Sequence, residues 1–168
     1  MDKIHKNTFK GCTSLTSVTL PNNISAIDDG AFQDCTSLKE ANIGNNVKFV
    51  GTSAFCNDVQ LTSVDRFNDT DSGHTFDIVG NYAFYGTKMK KLNLSLRSST
   101  IYTFWGDGCF QNCKNLEEVH ILSANYLAKD MFKDCVNLNS IDFKVPLMAY
   151  TYPGVFEGCT SLNTAKLP

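Results

Sequence analysis

Seven cysteines and three histidines are the residues of this chain with the widest chemical reach. Thiolates and imidazoles in close pairs hold zinc, and a cysteine or serine beside a histidine and an acid makes a nucleophile. Cys109 and Cys113 could form half of a zinc site, but no second ligand pair accompanies them. His5, His74 and His120 are scattered, and no serine or cysteine sits in a nucleophile motif. Asp69-Thr70-Asp71-Ser72-Gly73 opens like a calcium loop, yet no bidentate glutamate follows at the required distance. Phosphate loops, dinucleotide fingerprints and His-Glu-x-x-His are also missing. The expectation is a protein without catalytic residues, metal or cofactor.

The cysteines make better sense once the chain is read as a repeat. An aromatic, a cysteine three residues on, a leucine three further on, and then an apolar–polar–apolar alternation recur throughout. Clear copies are Phe9/Cys12/Leu15/Val18/Leu20, Phe32/Cys35/Leu38/Ala41/Ile43, Phe110/Cys113/Leu116/Val119/Ile121, Phe132/Cys135/Leu138/Ile141/Phe143 and Phe156/Cys159/Leu162/Ala165/Leu167. Looser copies lie at Phe55/Leu61/Val64 and Phe84/Met89/Leu92/Leu94. Five cysteines thus share one register, where a small, soft, buried side chain suits stacking between coils. Cys109 takes the slot held by Ala31, Ala54 and Ala83, and only Cys56 falls outside both series.

The aromatic anchors are 23, 23, 29, 26, 22 and 24 residues apart, within the range of leucine-rich repeats. The period-2 tail of each copy is that of a half-buried strand, and stacked copies should form one parallel sheet along a solenoid. A second apolar pair precedes most aromatics (Ile24/Ile27, Val47/Val50, Phe76/Val79, Tyr102/Trp105) and should form short strands on the opposite side. Long helices do not fit, because too few residues remain and Gly, Asn and Thr interrupt them. We therefore expect a right-handed, β-rich solenoid with a parallel sheet on the concave face and short strands and turns on the other. It should be a single domain over 1–168, about seven repeats, and a fragment of a longer array. The net charge of −2 offers no basic face for nucleic acid. No apolar run approaches a membrane span.

Irregularity is concentrated in the middle. After Val64 the apolar slot falls on Arg66, so burial of Phe67 is expected to need a bulge, and the insert 68–75 lengthens that repeat.

The phrases Ala31-Phe32-Gln33-Asp34-Cys35-Thr36-Ser37-Leu38 and Val155-Phe156-Glu157-Gly158-Cys159-Thr160-Ser161-Leu162, with the Leu20-Pro21 strand ending, resemble the BspA-type leucine-rich repeat family. The resemblance implies a place on surface-exposed or secreted proteins and adhesion to host or microbial macromolecules. It carries no fixed catalytic or ligand motif. The general template wants an asparagine beyond each strand, and only Asn23 and Asn46 supply one.

With the apolar positions turned inward, the alternate strand residues form outward columns: Ser17/Thr19, Glu40/Asn42, Ser63/Asp65, Lys91/Asn93, Glu118/His120, Ser140/Asp142 and Thr164/Lys166. Such a face is polar and mixed in sign. It suits an extracellular protein or glycan better than an apolar ligand, although any solvent-facing sheet is polar. Tyr126, Tyr150 and Tyr152, with Tyr82, Tyr85, Tyr102 and Trp105, form the second candidate, serving either as core or as contact anchors. The sequence thus predicts a non-catalytic, adhesin-like binding module at the cell surface or secreted, monomeric or weakly associated end to end. The rival expectation is a spacer with no ligand of its own.

Overall fold

A computed structural model describes residues 2–68, 76–95, 104–123, 126–143 and 151–166. The chain winds as a parallel β-solenoid, with one short helix among the described residues. Strands β1 (Asp2–Ile4), β3 (Ile24–Ile27), β5 (Phe49–Val50), β7 (Ile78–Val79) and β9 (Phe104–Trp105) form a five-stranded sheet. The other side carries β2 (Ser17–Thr19), β4 (Glu40–Asn42) and β6 (Ser63–Val64) in one sheet. There β8 (Lys91–Ser95), β10 (Glu118–Ser123), β11 (Ser140–Phe143) and β12 (Thr164–Lys166) form another. Every pairing is parallel, each strand bonding to its equivalent one coil away.

The core is one aromatic file. Phe9, Phe32, Phe55, Phe84, Phe110, Phe132 and Phe156 stack in sequence with centroids 5.0–5.8 Å apart and planes within 9°. Main-chain bonds lock the same corner: Phe32 N–H donates to Ala54 O at 2.8 Å and Phe55 N–H to Ala83 O at 2.7 Å. A coil must turn sharply on both sides of its phenylalanine, and the backbone does so by entering the left-handed region twice. Two residues before the aromatic, Asn7, Gly30, Ser53, Tyr82, Gly108, Asp130 and Gly154 have φ between +54° and +76°. Two residues after it, Gly11, Asp34, Asn57, Gly86, Asn112, Asp134 and Gly158 have φ between +61° and +75°. Gly, Asn and Asp tolerate that region, whereas tyrosine rarely does.

The cysteines do more than fill space. The Cys35 thiol donates to Phe9 O at 3.1 Å, Cys113 to Phe84 O at 3.3 Å, Cys135 to Phe110 O at 3.2 Å and Cys159 to Phe132 O at 3.1 Å. Each satisfies a carbonyl of the preceding coil. Cys12, on the first coil, is exposed rather than buried. Burial pushes Cys35, Cys56 and Cys159 up to about 11, so none is a ready nucleophile. A thiol reagent should label Cys12 rapidly in the folded protein, Cys56 and Cys159 slowly, and the other four only after denaturation. Rapid labelling of Cys109 or Cys135 would contradict this packing.

At Gly51, Gly80 and Gly106 the backbone of the preceding coil comes close enough to leave no room for a Cβ. A Cβ on Gly80 would lie 2.5 Å from Thr52 N and 2.6 Å from Gly51 C, both backbone atoms that cannot swing away. Gly80→Ala should therefore cost about 1–3 kcal/mol, although alanine is ordinarily the less flexible and more favourable residue. Urea denaturation measures it; an unchanged midpoint would mean the coils can spread.

Two expectations fail in the middle of the chain. The strand side is two sheets, not one. Instead of a bulge after Val64, the chain forms a helical turn, α1 (Asp65–Asn68). That turn buries Phe67 against Phe76, Phe84 and Phe110. Arg66 is buried too, its Nη1 donating to Gly44 O at 3.2 Å and its guanidinium lying 4.8 Å from the Phe76 ring centre. Asn23 and Asn46, the two residues at the template's asparagine position, are exposed and bonded to Asp2 Oδ2 at 2.7 Å and Asn22 O at 2.6 Å. The loop 69–75, with its calcium-like opening, lies outside the described residues.

Candidate functional site

Parallel register fixes which side chains meet on the strand side. Glu118 pairs with Lys91 and Ser140, and His120 pairs with Asn93 and Asp142. Residues in equivalent places on adjacent parallel strands stand roughly 5 Å apart, so charges in these columns interact directly. Lys91 Nζ lies 3.2 Å from Glu118 Oε2, which in turn is 3.6 Å from His120 Nε2. His120 Nδ1 is 3.8 Å from Asp142 Oδ2. The result is a strip, Lys91–Glu118–His120–Asp142, in which a cation, a carboxylate, an imidazole and a second carboxylate alternate across three strands. Lys91 holds the Glu118 carboxyl below its ordinary range, first by hydrogen bonding and then by charge. At neutral pH Glu118 is therefore anionic and already partnered.

Glu40 and Asn42 are exposed on β4, in the three-stranded sheet rather than the four-stranded one that carries the strip. Two column residues do not face outward. Asp65 leaves the strand register at the start of α1, and its carboxylate accepts Ile43 N–H at 3.0 Å and Gly44 N–H at 2.9 Å. It ties the helical turn to the preceding coil. Asn93 is buried because α1 packs against β8. No signal in the strand pattern announced either change; the cause is α1, which the apolar–polar alternation read as a continuing strand.

The aromatic candidates divide. Trp105 is buried against Phe76 and Phe110. Tyr126 is half-buried, its hydroxyl donating to Trp105 O at 3.3 Å, and burial pushes its phenol up to about 12. Tyr152 is exposed and meets Tyr126 edge-on at 5.8 Å. Tyr102 and Tyr150 lie outside the described residues. Among the described residues no cluster of three His, Cys, Asp or Glu side chains could hold a metal ion. No helix there is long and apolar enough to cross a membrane.

Parallel coils, a strand-and-turn repeat and an inward aromatic–cysteine–leucine register define a leucine-rich repeat solenoid. The BspA-type leucine-rich repeat model matches residues 2–75 and 77–168 in six copies, and the chain belongs to that family. A leucine-rich repeat protein from Bacteroides ovatus ATCC 8483 is 26% identical with a TM-score of 0.80, over 99% of this chain and 41% of that one. The T. pallidum leucine-rich repeat protein is 24% identical with a TM-score of 0.81, over 96% of this chain and 71% of that one, and shows the likeness of fold alone. The chain thus spans about two fifths of the Bacteroides protein's length. No curated protein matches it.

Proposed function

We propose that the chain is a non-catalytic binding module of a cell-surface or secreted adhesin-like protein, recognising an extracellular protein or glycan through its strand side. The observation that carries this reading is the Lys91–Glu118–His120–Asp142 strip. Its side chains are held in register by a parallel ladder, so little side-chain freedom is lost when a partner lands. Mixed sign along the strip favours a partner that also carries both signs, and such complementarity sets specificity and association rate. Membership of the BspA-type family supports the surface location. Glu40 and Asn42 extend the polar surface towards the first coils, and Tyr126 and Tyr152 offer aromatic contact on the other side of the coil.

The reading is tested by passing the protein over immobilised matrix proteins and a glycan array. Saturable binding to at least one component is the expected result. Silence across both sets would favour the rival reading, a rigid spacer. The unbroken phenylalanine file speaks for that rival, since a rod stiffened along its whole length would serve it equally well.

A further inference from the structure

We infer that the aromatic hollow beside β9 seats a basic side chain, an arginine above all, presented by a protein partner. This rests on the binding reading and gives the partner a chemistry. The hollow is about 290 Å³ and is lined by Asn81, Phe104, Trp105, Asp107, Tyr126 and Tyr152. Among the described residues four large apolar or aromatic side chains are exposed: Val59, Tyr82, Phe104 and Tyr152. Phe104 and Tyr152 line the hollow, and Tyr82 follows Asn81 in the chain. Its ring covers Gly108, beside Asp107. Tyr82 also holds a left-handed backbone, at φ +55°, in a slot that glycine fills in three other coils. The tyrosine is exposed and strained there, and it meets Tyr85 edge-on at 6.2 Å.

Charge complementarity identifies the occupant. Among the described residues Asp107 is the one charged residue of the lining, and no lysine or arginine joins it. Two of the polar groups of the lining are already engaged. Tyr126 spends its hydroxyl proton on Trp105 O, and Asn81 Oδ1 accepts Asp107 N–H at 2.9 Å. Aromatic surface beside a carboxylate is the combination that attracts a cation. A guanidinium uses both at once, stacking on a ring while forking to the carboxylate, which an ammonium cannot do. The neighbouring rings are fixed in place, since Tyr126 is tethered through its hydroxyl and meets Tyr152 edge-on.

Trp105 is the only tryptophan and lines the hollow, so its fluorescence reports occupancy. Titration with N-acetylarginine amide should give a saturable change, weakened at least about tenfold for the citrulline analogue, which keeps the shape and loses the charge. Asp107→Asn should weaken the arginine response about fivefold or more, and Tyr152→Ala should weaken it too. Both positions are exposed, and unchanged melting would show that the variants fold. Equal responses to arginine and citrulline, indifference to Asp107→Asn, or no saturation up to tens of millimolar would each overturn the inference. So would a response to neutral oligosaccharides such as lactose in place of arginine. Matrix-protein binding measured on Asp107→Asn separates this inference from the functional reading. Binding retained there without an arginine response removes only the seat, whereas native protein that binds nothing removes the module.

Discussion

Phe110→Ala should lower the unfolding free energy by about 3–5 kcal/mol, the most damaging single truncation in the chain. Phe110 is fully buried and is the meeting point of two packing systems. Its ring stacks on Phe84 at 5.5 Å and Phe132 at 5.8 Å, while Phe67 and Trp105 close in at 5.5 Å and 5.7 Å. Removal leaves a cavity walled by stacked coils that cannot close without breaking their main-chain bonds to one another. In a solenoid each coil touches only its neighbours, so a central loss weakens two interfaces at once. Phe9, half-buried and stacked on Phe32 alone, should cost about 1–2 kcal/mol when truncated. Urea denaturation of both variants checks the difference. Equal losses would mean that the aromatic file does not carry the core.

Asp58→Asn should stabilise the protein at neutral and alkaline pH and leave it nearly unchanged near pH 4. Asp58 occupies the third coil's cysteine slot and is completely buried. Its Oδ1 accepts Cys35 N–H at 2.8 Å, while Oδ2 has no partner. In this register Cys35, Cys113, Cys135 and Cys159 each donate a proton to a carbonyl of the coil before; only the acid form of Asp58 has one to give. Burial is the main cause that pushes its carboxyl up to about 8. The unfolded chain releases this proton near pH 4, and the folded chain retains it until about pH 8. The folded state thus binds more protons across that window, and stability must fall as pH rises through it. The loss is on the order of 5 kcal/mol by pH 8, counting 1.36 kcal/mol per unit. Asparagine keeps the shape and cannot ionise, so its stability curve should be flat where the native one slopes. Asp58→Cys, which restores the register, should behave similarly. Matching slopes for native and Asp58→Asn protein would show that the carboxylate is accommodated.

Much of this architecture is legible because the repeat writes each element several times. Strand positions, the aromatic file and the second, shorter strands follow from a period that no single copy could establish. The left-handed positions two residues either side of each phenylalanine were open to the same reading through their Gly, Asn and Asp. Ser53 and Tyr82 hid the pattern in two adjacent coils. Asp65 to Asn68 resisted for a different reason. Apolar–polar alternation is a statement about faces, and four residues with Phe67 in the third place fit a bulged strand as well as a helical turn. What decides is the room beside Phe84 and Phe110, a property of neighbouring coils. The burial of Asn93 and the inward role of Asp65 both descend from that one turn. Asp58 was visible as a break in the cysteine series, but its consequence depends on burial that only the stacked coils supply.

The central claim is that the strand side binds and the interior merely holds it in shape. Glu118→Ala/His120→Ala, compared with native protein for both partner binding and melting, tests it most directly. Both side chains stand on the surface of β10, outside the core. The double variant should lose saturable binding to the matrix protein or glycan that the native protein recognises, with an unchanged melting temperature. Full retention of binding would place the contact elsewhere on the coil and contradict the claim. Binding lost only together with a fall in melting temperature would contradict it equally, since the strip would then be serving the fold.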